Sequence, residues 1–253
     1  MMILTLAQRE LRSLFYSPLA WAILGVTQLI LAYLFLSQLQ EYLRLQPQLK
    51  MMATAPGITD VVILPIYSSA AFIMMMVVPM LTMRLVSDER RNKTLSLLFS
   101  APISMTEIIV GKFLGIVAFI LIMVAMMTLM PLSLAFAATL DFGLLMSVIL
   151  GLVLMMAAFI SVGLYMSTLT VQPTVAAVST FGTLLLLWII DWAGSKVADE
   201  NASGALSYLS MLRHFEPMGR GVFNTSDVFY YLLFITTFLV LSIRRLDADR
   251  LQG

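Results

Sequence analysis

His214 is the only imidazole in the chain, and Glu216 and Arg220 follow it closely. This stretch therefore holds the residue types that could close an outer gate by ion pairing or meet an external partner. One imidazole cannot supply the several that a histidine-rich metal site takes. With no cysteine there is no thiolate ligand, thiol nucleophile or disulfide either. The twenty methionines offer a different chemistry, because Met76 with Met80, Met123 with Met127 and Met126 with Met130 stand at i, i+4 and thioethers favour Cu(I). Flexible methionine is more often a filler of irregular apolar packing, and no metal site is expected. The phosphate-cradling pattern G-x-x-x-x-G-K-[ST] is absent, since Gly111-Lys112 runs into Phe113 and Thr106 stands where the first glycine would be. No catalytic residue and no cofactor of the chain's own are expected, so energy for any uphill step must come from a partner.

The elements that position these residues are apolar. Of 253 residues, 60% are hydrophobic and 11% charged, against about 25% charged in a soluble domain. Six stretches lack Asp, Glu, Lys and Arg and are long enough to cross a bilayer: about 19–37, 61–83, 113–140, 142–171, 174–190 and 228–243. The chain reads as a single all-α polytopic membrane domain over 1–253. The first apolar run follows Arg9 and Arg12 as a secretion signal would. It continues into Ser37-Gln38-Leu39-Gln40 with no small-residue cleavage pattern, so it is a retained span. With the N-terminus inside, ten of the fifteen basic residues fall on the inner side and eight of the fourteen acidic ones outside, which puts both termini in the cytoplasm. A net charge of +1 points to no nucleic-acid partner.

No span contains an ionisable residue, and a proton- or sodium-driven transporter needs such groups within the membrane. No Ser/His pair, Asp pair or metal-ligand cluster lies there either, which argues against intramembrane hydrolysis. Ser104-Met105-Thr106-Glu107 is a capping box that starts the third span. Gly111 and Gly115 form a G-x-x-x-G pair that would admit a close helix. Pro79 and Pro131 should kink the second and third spans, and Pro173 after Thr170-Val171-Gln172 should close a tight hairpin.

Three connections carry further pattern. In 84–104, charges crowd the first half and Leu95, Leu98 and Phe99 follow at i, i+3, i+4, a short amphipathic helix that could face a soluble partner. The alternative is a solvated, positive-inside loop that only sets topology. Residues 1–17 place Leu4, Ala7, Leu11, Leu14 and Phe15 on one face, as an interfacial anchor helix would. The external connection 191–226 repeats Leu206, Leu209, Leu212 and Phe215 at near-helical spacing, and Thr225-Ser226-Asp227 reads as the N-cap of the last span. Within that connection His214, Glu216 and Arg220 form an outer gate, a partner contact or simply a local ion pair.

The interfacial start, the six spans, the loop Ser87-Asp88-Glu89-Arg90-Arg91-Asn92-Lys93-Thr94-Leu95-Ser96-Leu97-Leu98-Phe99-Ser100-Ala101-Pro102-Ile103-Ser104 and the segment His214-Phe215-Glu216-Pro217-Met218-Gly219-Arg220-Gly221 together resemble type 2 ABC transporter permeases. Within that family the chain resembles the gliding-motility-type permease subunit, GldF. The resemblance covers nearly the whole chain. It implies a type V-like exporter fold with short re-entrant helices outside and a coupling helix at about 88–100. Glu89, Arg90, Arg91 and Thr94 would make polar contacts with a separate ATPase, and Leu95, Leu98 and Phe99 apolar ones. It further implies two ATPase subunits carrying ATP and Mg, a second permease chain, like or unlike, and a bacterial inner-membrane location. That subgroup often adds a membrane subunit with a large external domain. The resulting expectation is an ATP-driven permease subunit; a non-transporting anchor or mechanotransmission subunit would share every topological feature.

Overall fold

The computed structural model describes residues 2–49, 57, 59–95, 103–136, 140–194 and 210–252. Among them the secondary structure is entirely helical. α1 (Met2–Tyr16) and α2 (Pro18–Leu49) are separated by Ser17, and Pro18 opens α2 at a position where its missing N–H costs nothing. α2 extends well beyond the expected span, through Ser37-Gln38 to Leu49. Leu, Gln, Glu and Arg in that extension are good helix formers, and Leu39 and Tyr42 keep one face packed on the core.

A π turn (Thr59–Ile63) leads into α3 (Leu64–Thr82), and the short α4 (Ser87–Arg91) follows. α5 (Met105–Ser133) begins at the predicted capping box. The Ser104 hydroxyl accepts from the Glu107 N–H at 3.2 Å, and the Glu107 carboxylate accepts from the Ser104 N–H at 3.1 Å. α6 (Phe142–Leu169) starts at an Asp141 cap that accepts from the Gly143 and Leu144 N–H groups. The tight turn Thr170–Gln172 then joins it to α7 (Pro173–Gly194). α8 (Met211–Gly219) and α9 (Thr225–Gln252) complete the chain.

Five helical stretches are long and apolar enough to cross a membrane: α2, Val61–Arg91 with α3 and α4 in it, α5, α6 and α9. α7 holds a shorter apolar stretch, Pro173–Ile189. The six-stretch expectation thus resolves into five full-length helices and one short one. Pro79 and Pro131 both fall in the last turn of their helices, where each lacks the N–H that would donate to the carbonyl four residues earlier, of Met75 and Met127.

α6 is the centre of the bundle, touching α3, α5, α7, α8 and α9. Lipid tails are as apolar as leucine, so close approach and interhelical hydrogen bonds hold such a bundle together. Glycines supply the approach: Gly163 of α6 lies directly against Thr82 of α3, and a Cβ on Gly151 would stand 3.1 Å from Met218 of α8. Buried polar groups supply the bonds. The Tyr67 hydroxyl meets that of Thr128 at 3.1 Å between α3 and α5, and the Gln28 amide donates to the Met123 carbonyl at 2.9 Å between α2 and α5.

No residue of α1 is buried, yet it is packed on the bundle. It lies lengthwise along the start of α5, pointing the same way: Leu6 meets Gly111, Glu10 meets Gly115 and the Phe15 ring meets Phe119 with centroids 5.4 Å apart.

Candidate functional site

Five residues are too few for a helix to hold itself together, so α4 depends on what surrounds it. Its entry is fixed by one hydroxyl at the end of α6. Ser167 Oγ accepts from the Val86 and Ser87 N–H groups at 3.0 and 3.1 Å, and its own proton goes to the Met83 carbonyl at 3.2 Å. The turn between α3 and α4 thereby finds partners for backbone groups that neither helix can satisfy.

The two charged residues in the middle of α4 reach into the protein. Glu89 accepts from Lys112 Nζ at 2.7 Å, and the same ammonium reaches Glu10 of α1 at 2.9 Å. Lys112 is only 4% exposed, so it needs both carboxylates. Arg90 donates to the Thr168 carbonyl at 2.8 Å and forms an ion pair with Asp249 near the end of α9. α4 is consequently tied to α5 and α1 through Glu89, to α6 through Ser167 and Thr168, and to α9 through Arg90.

The exit of α4 is a Schellman turn. Lys93 takes a left-handed φ of 55°, its N–H donates to the Arg90 carbonyl at 3.2 Å, and the Thr94 N–H donates to that of Glu89 at 3.0 Å. Arg91, Asn92, Lys93 and Thr94 form an exposed rim after the clamped turn.

The residues expected to contact an ATPase therefore divide. Glu89 and Arg90 are turned inward to intramolecular partners, whereas Arg91 and Thr94 are exposed. Leu95 is buried in the chain's own core at 9% exposure, and Leu98 and Phe99 lie outside the described residues. Gly111 and Gly115 face α1: a Cβ on either would stand 2.6 Å from a side-chain carbon of Leu6 or Glu10.

At the opposite end His214, Glu216 and Arg220 do not form one group. His214 is buried, its Nδ1 sits 2.7 Å from Asp227 Oδ1, and its ring stacks on Tyr230 with centroids 4.0 Å apart. Glu216 and Arg220 form an exposed pair at 2.5 Å one turn apart on α8. Asp227 falls in the first turn of α9, where its carboxylate serves His214. The methionine pairs also divide: Met123 and Met127 are fully buried, while Met76 and Met80 are 48% and 47% exposed. Among the described residues no cluster of His, Asp or Glu could hold a metal.

Lys112, Glu10, Ser167 and Asp249 are the members of the clamp that the sequence reading passed over. One signal was available: Lys112 is the only charged residue between Glu107 and Asp141, and two glycines flank it.

The clamp and the bundle around it fall within a single family match. The sequence model of the ABC-2 family transporter proteins matches residues 4–251. The chain belongs to this family. The match takes in Glu10 and Asp249, the outermost members of the clamp, and every spanning helix. An ABC-2 family chain is a multi-pass membrane protein and the permease subunit of an ABC transporter, with no catalysis of its own. No curated protein matches it.

Proposed function

We propose that this ABC-2 family permease is driven by a separate ATPase that docks on the exposed rim Arg91–Thr94 and the segment beyond it. Its push would be passed on through the clamped α4. The observation that supports this reading is the division of labour within α4, in which Glu89 and Arg90 grip four other helices while the next four residues face outward. A segment that only set topology would have no use for three separate attachments. The permease pairs with a second copy or a paralogue, and two ATPase subunits with bound ATP and Mg sit beneath. α7 serves as the sixth span, both termini are cytoplasmic, and the location is the bacterial inner membrane. Export is the direction that the type V-like arrangement favours. The gliding-motility-type resemblance adds a subunit with a large external domain, to which the Glu216 and Arg220 edge of α8 would be the nearest charged surface.

The test is a mild-detergent pull-down with the co-purifying proteins identified by mass spectrometry. A P-loop ATPase at about one copy per permease chain is expected, and Arg91→Glu with Lys93→Glu should release it while the chain stays inserted. An ATPase that co-purifies equally with this variant would refute rim docking. Because the chain has no cysteine, Thr94→Cys and Arg220→Cys report orientation directly. Labelling of the first only from the cytoplasm and of the second only from outside is the expected pattern.

A further inference from the structure

Beside the clamp lies a cavity of about 280 Å³, walled by α1, the start of α2, the end of α3, α4 and Lys112. We propose that it holds the headgroup of a zwitterionic glycerophospholipid of the phosphatidylethanolamine type. The inference is independent of ATPase docking, since it concerns only groups within this chain.

The charges on its wall carry the argument. Lys112 is committed to Glu10 and Glu89, which leaves Arg9, Arg84 and Asp88 as charged lining groups with no ion-pair partner among the described residues. The two guanidiniums are exposed and suited to bidentate capture of a phosphate, and Ser13 and Ser17 bring hydroxyls to the same wall. Asp88 is the complementary anion. Taken whole, the wall bears three cations (Arg9, Arg84, Lys112) and three carboxylates (Glu10, Asp88, Glu89), so it is formally neutral. A purely anionic headgroup would gain the guanidiniums but be repelled by three carboxylates. A phosphate with a tethered ammonium satisfies both signs at once, with phosphate on Arg9 and Arg84 and ammonium on Asp88.

The same lining includes the apolar Leu14, Leu19, Leu81 and Leu85, and Met80, which is 47% exposed. One turn further along α3, Met76 is 48% exposed on the same face, which continues the apolar track into the spanning region. A lipid tail lying on Met80 and Met76 therefore delivers its headgroup to the charged wall. A free phosphoester would have no use for that track.

The test uses the delipidated full-length permease in detergent, titrated with single lipids and followed by native mass spectrometry. The probes are phosphatidylethanolamine, phosphatidylglycerol, diacylglycerol and free phosphoethanolamine. Phosphatidylethanolamine should bind at one high-affinity site, with diacylglycerol and free phosphoethanolamine weaker by roughly tenfold or more, given the charge-assisted contacts each lacks or the tail it is missing. Arg9→Gln with Arg84→Gln should remove that site. Asp88→Asn leaves the wall with one surplus cation and should shift the preference toward phosphatidylglycerol, and this single change keeps the proposal testable if the double variant does not fold. Diacylglycerol binding as tightly as phosphatidylethanolamine would overturn the headgroup assignment. Free phosphoethanolamine binding as tightly as the lipid would make the cavity a soluble phosphoester site. An unchanged lipid preference in Asp88→Asn would overturn the zwitterionic specificity.

Discussion

Replacing Lys112 with methionine isolates the contribution of the ion cluster to holding α1, α4 and α5 together. Methionine keeps the unbranched stem and the apolar contacts but removes the ammonium that Glu10 and Glu89 share at 2.9 and 2.7 Å. Two carboxylates are then left facing each other with side chains only 19% and 18% exposed. Removing one partner of a fully buried pair costs about 3–5 kcal/mol, and partial exposure of the glutamates brings the expected loss to about 2–4 kcal/mol. For a chain of this size each kcal/mol moves Tm by about 2–4 °C, so a drop of roughly 5–15 °C in a fixed detergent is expected. The diagnostic is the rescue. Glu10→Gln with Glu89→Gln in the Lys112→Met background removes the unpaired charges and should recover more than half of the loss, because neutral replacement of a whole buried cluster is close to neutral in energy. The glutamine changes in the native background should by contrast destabilise. If the three substitutions simply added, within about 0.5 kcal/mol, the cluster would not be acting as a unit and the reasoning would fail.

Three further outcomes follow from contacts elsewhere. Gly115→Leu cannot be accommodated, since even a Cβ would stand 2.6 Å from that of Glu10 and 3.0 Å from the Ala7 carbonyl; α1 should be displaced and become protease-sensitive near Arg9, at a cost of about 1–3 kcal/mol in Tm measurements. Ser167→Ala leaves the Val86 and Ser87 N–H groups without their acceptor and should cost about 1–3 kcal/mol, with faster hydrogen exchange confined to residues 83–91. His214→Ala removes the hydrogen-bond partner of the buried Asp227 carboxylate and should lower stability by about 1–3 kcal/mol, whereas Arg220→Ala breaks only an exposed pair, 67% and 60% accessible, and should change it by no more than about 0.5 kcal/mol.

Much of the scaffold was legible in the sequence because its determinants are local. Runs without charge announced the spans, and the Ser104 to Glu107 capping box gave the start of α5 because both of its hydrogen bonds close within four residues. The Pro173 hairpin was readable for the same reason. The clamp was not, since its bonds join positions 23 to 159 residues apart: Lys112 to Glu89, Ser167 to Val86, Lys112 to Glu10, Arg90 to Asp249. Helical spacing shows which residues share a face but not what the face meets. The resemblance gave Glu89, Arg90 and Leu95 to an ATPase, whereas the half-buried side chains of Glu89 and Arg90 are tied to other helices and Leu95 packs in the core. His214, Glu216 and Arg220 were grouped by proximity along α8, while the approach of α9 separated the histidine from the other two.

The lengthwise seat of α1 on α5 has a consequence for how the protein is made. Glu10 leaves the ribosome 102 residues ahead of Lys112. At synthesis rates of about 5–20 residues per second, that is roughly 5–20 s. During this interval α1 has no groove to occupy, and its apolar face must rest on the lipid surface as an amphipathic helix does. Only when α5 has inserted and brings Gly111 and Gly115 alongside can α1 leave that parking place. α1, although translated before α5, is therefore seated only after α5 has inserted, and α4 completes its attachments only once α9 delivers Asp249.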